Sequence, residues 1–500
     1  MTAVSETAAG AGAPPRLPRL PTRWLILAVI CLAQLAVLLD NTILNVAIPS
    51  LTRDLGATNA DIQWVINAYS LVQAGLLLAS GSAADRYGRR KLLLAGLALF
   101  GLGSLAAALS QSTAQLTAAR GGMGVGGALL LTTTLAVVMQ VFDAEERPRA
   151  IGIWSAVSAL GFAAGPPIGG IMLAHFWWGS IFLLNIPVVV IGLIAVRILV
   201  PESKNPGGGP PDLLGALLSA AGMTALVYAI IQMPESGWSS TEVLLPAAAG
   251  AAILAAFALW EQHTRHPMLD LHFFRDRRFV GAVSGVVLIT FGSAGVLFLL
   301  TQQLQFVRGY TPLETGLRMA PFALTIVALN FSGVAFRMGA RLGRPASIAA
   351  GMTLLAGGFT VVACLTDGGY GPLLLGLLLM GTGCALANPA IVEAVMSAIP
   401  EDKAGAGAGI DGTMTEVGTS LGVAVLGAVM NSRFTTLLPA TATGAASLPA
   451  AQSATHTPAD RAAVLDAFTS AIQTSQLAGA TAVLTGGCIT ALLLWRAERG

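Results

Sequence analysis

Apolar runs of about twenty residues recur along almost the whole of this 500-residue chain, from Trp24 to Trp495. A helix of that length covers the ~30 Å of a bilayer's hydrocarbon core at 1.5 Å per residue. The chain is 55% hydrophobic and only 10% charged, with a mean hydropathy of +0.74, where a soluble globular protein carries about 25% charged residues. The sequence therefore predicts an all-α polytopic membrane protein with the lipid bilayer as its principal partner. A net charge of +2 gives no global basic field, and no nucleic-acid partner is expected.

Fourteen spans are predicted, near 24–46, 61–81, 92–110, 113–139, 150–174, 180–199, 213–232, 243–260, 279–303, 315–336, 346–365, 371–392, 404–431 and 475–495. An even number puts both termini on one side. Placing them in the cytoplasm leaves 21 of the 27 Lys/Arg in cytoplasmic segments, as the positive-inside rule requires. Five segments are expected: a tail over 1–23, a six-span half over 24–199, a linker over 200–278 carrying spans 7 and 8, a second six-span half over 279–495, and a tail over 496–500. The first run is too long for a signal-peptide core and is read as a retained helix. The outer stretch 433–474 is rich in Ala, Thr and Ser and is expected to be a loosely ordered loop with a short amphipathic helix at "ADRAAVLDAF".

The halves are suggested by internal repetition. "RYGR" at Arg86–Arg89, followed by Gly96, returns 255 residues on as "RLGR" at Arg341–Arg344, followed by Gly351. "GVGGAL" from Gly124 returns at an offset of 257 as "GTGCAL" from Gly381, and the Gly161/Gly165 pair returns at the same offset as Gly418/Gly422. Repeated halves facing one another are the architecture of rocker-type secondary transporters, which hold substrate near the midplane.

Charges inside the spans are the functional clues, because each costs about 2.5–3.5 kcal/mol at a helix centre on insertion scales. Asp40 lies ~24 Å along span 1 and Glu416 ~18 Å along span 13. Each reads either as a carboxyl neutralised or paired for packing, or as a proton or cation site facing a cavity. Asp411, five residues before Glu416, points to another face and could pair near the inner end. Arg120 in span 4 cannot deprotonate, but it can hold a neighbouring carboxyl ionised or form a structural ion pair. Trp64 and Tyr69 in span 2 could offer ring faces to a lipophilic cation, with interfacial anchoring as the competing reading of Trp64.

The segment "GSAADRYGRRKLLLAG" between spans 2 and 3 is read as a loop that does more than hold topology, since bases alone do not explain Asp85 or the small Gly81 and Gly88. Its Gly81, Asp85, Arg86, Gly88, Arg89 and Arg90 match the loop signature G-x-x-x-D-R-x-G-R-R, and here the chain resembles the major facilitator superfamily. "LDNTILNVAIP" (Leu39–Pro49) resembles the first-helix signature of its fourteen-helix drug:proton antiporters. "GFAAGPPIGG", with Gly161, Gly165, Pro166, Gly169 and Gly170, is similar to the antiporter motif of exporters, and "LQFVRGYTPLETGLRMAP" extends the likeness into the second half. Three departures stand out: Met123 where glutamine is common, Trp178-Gly179-Ser180 in place of W-R-W, and Ala340 opposite Asp85 in the second loop copy. The resemblance, strongest to the quaternary-ammonium and multidrug branch, implies a major facilitator fold of two six-helix halves plus two inserted helices. It implies export of hydrophobic or cationic compounds in exchange for protons, a coupling role for Arg120, support for an acid just before Gly418, and a loop that biases which face is closed.

A narrow exporter protecting a producing cell from its own antibiotic would share every motif. A non-transporting sensor or scaffold would not need buried acids, and an importer is disfavoured by "GPPIGG". No enzyme is read here: "GTSLG" (Gly418–Gly422) fits a nucleophile elbow but has no strand before it, and no lysine follows a glycine as a Walker A step needs. His263, His266 and His272 are expected in a solvated segment, and the four cysteines lie in apolar runs at unrelated spacings, so neither metal, cofactor nor disulfide is predicted. The expected setting is the cytoplasmic membrane, with the chain acting as a monomer on protons and lipophilic small molecules.

Overall fold

The computed structural model describes residues 20–143, 145–204, 211–265, 267–269, 271–365, 369–398, 404–445 and 447–499. The first group of helices is α1 (Leu20–Leu55), α2 (Asn59–Tyr87), α3 (Arg89–Ala108), α4 (Thr113–Val141), α5 (Arg147–His175), α6 (Ser180–Leu183) and α7 (Asn185–Leu199). Two helices follow, α8 (Leu213–Ser236) and α9 (Thr241–His263). The last group is α10 (Arg277–Gln302), α11 (Pro312–Phe331), α12 (Val334–Leu342), α13 (Arg344–Cys364), α14 (Tyr370–Ser397), α15 (Ala404–Leu437), α16 (Leu448–Ser453) and α17 (Pro458–Arg499). No strand occurs among the described residues. This is the solution hydrocarbon imposes, since a helix satisfies its own backbone.

Every predicted span falls on helical residues, span 6 on α6 and α7 and span 10 on α11 and α12, and twelve helical segments among the described residues, α6 and α7 taken together, are long and apolar enough to cross a membrane. The two spans outside that set are α5, several of whose side chains lie outside the description, and α11, whose first turns carry Glu314 and Arg318. The count of fourteen crossings rests on these two.

Local chemistry repeats with the sequence. Thr58 and Asp61 form a capping box that starts α2, and Thr311 and Glu314 form the same box at α11, satisfying backbone N–H groups that a helix start leaves free. The GxxxG pairs do equivalent work. Gly161 and Gly165 admit Leu38, Thr42 and Ile43 of α1, while Gly418 and Gly422 admit Val287, Thr290 and Phe291 of α10. Each pair thus seats the fifth helix of its repeat on the first. Across the repeats α2 packs along α15 and α5 along α11, so the second helix of each repeat meets the fifth of the other.

Three expectations change. The segment at Asp85 is not a loop, because α2 runs to Tyr87 and only Gly88, at φ 113°, separates it from α3; a side chain there would be strained. Span 10 is divided at Gly333, with φ 67°, into α11 and α12. Residues 433–474 are largely helical: α15 continues to Leu437, and "ADRAAVLDAF" is the beginning of α17, 42 residues long. Thr457 and Asp460 cap that start through 2.8 and 3.1 Å hydrogen bonds. Phe468 packs edge-on against Phe306 and Phe434, so this stretch is ordered by burial despite its low hydropathy. The tail arginines Arg16 and Arg19 lie outside the described residues.

Candidate functional site

Asp40 and Arg120 meet in an ion pair with both side chains fully buried. Asn185 at the start of α7 donates to the other Asp40 oxygen, Oδ1 (3.1 Å), and also to Ser104 Oγ of α3 (3.0 Å). Arg120 Nε donates to the Val65 carbonyl (3.2 Å), and its guanidinium lies 4.4 Å from the centre of the Tyr69 ring. Both Asp40 oxygens therefore have partners. Two charges so far from water persist only when paired and hydrogen-bonded, and removing one partner alone typically costs about 3–5 kcal/mol. Met123, the departure from the family's glutamine, is buried with its sulfur 3.9 Å from Ser104 Oγ.

Glu416 is also buried, on the α15 face turned to α2, but it is differently provided for. Ser70 of α2 lies beside its carboxyl and the charge of Arg120 reaches it, while Oε2 has no hydrogen-bond partner in the protein. Tyr69 stands within the electrostatic reach of Asp40, Arg120 and Glu416 together. The structure thus joins Asp40, Arg120, Tyr69 and Glu416, which the sequence spreads over nearly 400 positions, into one buried group. Asp411 is half-buried.

The seam around Glu416 carries more polar chemistry than the sequence reading gave it. Gln63 and Asn67 of α2 are buried with neither end of their carboxamides hydrogen-bonded, and Ser420 Oγ on α15 is in the same state. Gln73 turns instead toward α4, where its amide and the Tyr69 hydroxyl lie together over Gly127. One end of the seam is fastened by Asn59 Nδ2 donating to Asn431 Oδ1 (3.1 Å). Charge marks Asp40, Arg120 and Glu416 in the sequence, whereas uncharged amides carry none to single them out. The visible signal was a polar stripe at helical spacing, Asn59, Gln63, Asn67, Ser70 and Gln73, within an otherwise apolar helix.

The remaining predicted residues divide by setting. Trp64 packs on Tyr228 of α8, ring centres 5.9 Å apart, and not on the acids. In the segment around Gly88, Asp85 accepts from Arg89 Nη2 (2.8 Å) across the break between α2 and α3. Glu202 lies over Gly88 and accepts from the Arg90 backbone N–H (3.2 Å), while Arg86 is exposed and Gly81 half-buried. Gly165 and Gly169 press against α1; Pro166 and Gly170 lie against α11, where Gly316 touches the Pro166 carbonyl. No cluster of metal-ligating side chains occurs among the described residues, and His266 lies outside them.

Comparison with known proteins agrees with this architecture. The profile described as Major Facilitator Superfamily matches residues 30–423. The multidrug resistance protein Stp of Mycobacterium tuberculosis is 38% identical over 412 residues, covering 82% of this chain and 76% of that protein. The methyl viologen resistance protein SmvA of Salmonella typhimurium is 35% identical over 415 residues, covering 82% and 83%. Among solved structures, a bacterial homolog of the human lysosomal transporter Spinster, inward-facing and unoccupied, superposes with a TM-score of 0.67 at 14% identity, covering 96% of this chain and 99% of that one. Matched by the family profile over most of its length, and sharing more than a third of its residues with two members across four-fifths of it, the chain belongs to the Major Facilitator Superfamily.

Proposed function

We propose that this multi-pass transporter exports hydrophobic or cationic compounds from the cytoplasm in exchange for protons, its two six-helix halves rocking about the central group. The names of its relatives support efflux, and methyl viologen is itself a dication. The observation that carries the coupling is the contrast between the acids: Asp40 is held on both oxygens, whereas buried Glu416 has one oxygen free. Glu416 is therefore the acid that exchanges a proton, and the Asp40–Arg120 pair is its fixed counterpart. Ionised Glu416 attracts a cation entering from the cytoplasmic side. After the halves rock, a proton arriving from outside neutralises the acid and releases the cargo, and the protonated form returns. Both termini lie in the cytoplasm in this scheme, and the segment joining Asp85, Gly88 and Glu202 biases which face is closed.

Proteoliposomes carrying an imposed proton gradient test this reading. Wild type should move a fluorescent lipophilic cation in a gradient-dependent way, and Glu416→Gln should abolish the dependence on the gradient. Unchanged coupling in both Glu416→Gln and Asp40→Asn would remove these acids from the mechanism.

A further inference from the structure

Resting on the exporter reading above, we propose that the α2–α15 seam is a hydrogen-bonding subsite for the exported compound. In it the carboxamides of Gln63 and Asn67 and the Ser420 hydroxyl line the same helix contact as the Glu416 carboxylate, and together they select protonated amines bearing N–H groups over quaternary cations that have none.

The first ground is the state of the polar groups. Natural proteins pair nearly all buried polar atoms, and each one left unmade costs about 1–3 kcal/mol. Here two carboxamides, Ser420 Oγ and one oxygen of Glu416 are buried without a partner along one contact between two helices. Such a concentration on facing surfaces points to a partner the protein does not itself supply.

The second ground is what the aromatic rings are already doing. Bare lipophilic cations are held by ring faces and apolar area. The face of Tyr69 is taken by the Arg120 guanidinium, and Trp64 is packed on Tyr228. The buried groups of this seam with unused capacity are hydrogen-bonding ones.

Location supplies the third. α2 and α15 belong to different repeats, and their contact is close: a methyl group added at Gly427 would lie 2.6 Å from the Gln63 amide carbon. Movement of one repeat against the other uncovers this face to the space between them. A carboxamide both donates and accepts, whereas an ionised carboxylate only accepts. The complementary ligand therefore places an ammonium N–H on Glu416, as a charge-assisted bond, and its carbonyl or hydroxyl groups on the amides. A trimethylammonium ion can satisfy none of these atoms, and sites built to hydrogen-bond their ligand discriminate strongly against analogues that cannot.

The test uses wild-type protein in nanodiscs and proteoliposomes with two acridine dyes, one carrying a protonated dimethylaminoalkyl arm and the other its N-methyl quaternary twin. Wild type should bind and transport the N–H dye about ten-fold better. Asn67→Leu and Gln63→Leu should each erase most of that preference by weakening binding of the N–H dye, and an unchanged Tm in detergent reports that the variants are folded. Equal Kd values for the two dyes in wild type would overturn the subsite without any variant. A preference that survives both substitutions would overturn the assignment to these amides. Transport of neither dye, with binding preference intact, would instead count against the exporter reading and leave the recognition chemistry standing.

Discussion

The α5–α11 seam and the α2–α15 seam occupy equivalent places in the two repeats, yet they are built from opposite materials. At α5–α11 the contact is backbone on backbone: Gly316 sits on the Pro166 carbonyl, and a methyl group at Gly170 would lie 2.7 Å from Leu313 Cα. At α2–α15 side chains meet, among them Gln63, Asn67 and Glu416, and most of their polar atoms are unpartnered. The difference is thermodynamic. A close-packed seam without polar groups is lowest in energy when shut, whereas a seam of unsatisfied amides gains hydrogen bonds when it parts. Internal symmetry placed two joints, and divergence of side chains gave one of them the chemistry.

The largest effect is expected where the two sides are pinned together. Asp40 lies on α1, which packs on α5, and Arg120 on α4, which packs on α2. Asp40→Asn leaves a guanidinium that cannot deprotonate, and it should lose about 3–5 kcal/mol of stability. Arg120→Leu should lose less because the abandoned carboxyl can take up a proton, and Asp40→Asn/Arg120→Leu should fall below the sum of the two. Thermal unfolding in detergent reads all three, and additive losses would show that the pair is not coupled.

A smaller but still severe loss should follow Gly316→Val. The added carbons meet a main-chain carbonyl that has no alternative position, and overpacking of this kind typically costs about 1–3 kcal/mol. A variant as stable as wild type would mean that the glycine seam is looser than its geometry. At the polar seam the sign reverses. Ser420→Ala removes a buried hydroxyl without a partner and should stabilise the resting protein by up to about 1 kcal/mol, seen as a small rise in Tm. A fall in Tm there would erase the distinction between the seams.

How much of this could be read in the sequence follows from which terms are local. The spans were legible because hydrocarbon demands about twenty apolar residues whatever the partners are. The GxxxG pairs were legible too, because small residues at one spacing have few other uses. Asp40 and Arg120 could be flagged singly, but their union across 80 positions is a tertiary fact. Asn185 was passed over inside "IFLLNIPVVV", where one amide scarcely changes the hydropathy. The beginning of α17 was misread for the converse reason. Its Ala- and Thr-rich composition resembles a loop, yet Val464, Phe468 and Ile472 are fully buried, and packing decides the matter.

The inserted helices have their own bearing on traffic. α8 lies against both α2 and α15, where Val227 and Ile231 close over Ala60, Leu71 and Ala424 and Gly75 rests on Ala220. The polar seam is thus roofed toward the lipid by a helix that belongs to neither repeat. Among the described residues the α5–α11 seam has no such cover from the inserted pair. A fold composed of two like parts becomes one-sided as a result. Of two joints that the repeats would make alike, one alone is braced from outside, by a helix that has no counterpart in either half.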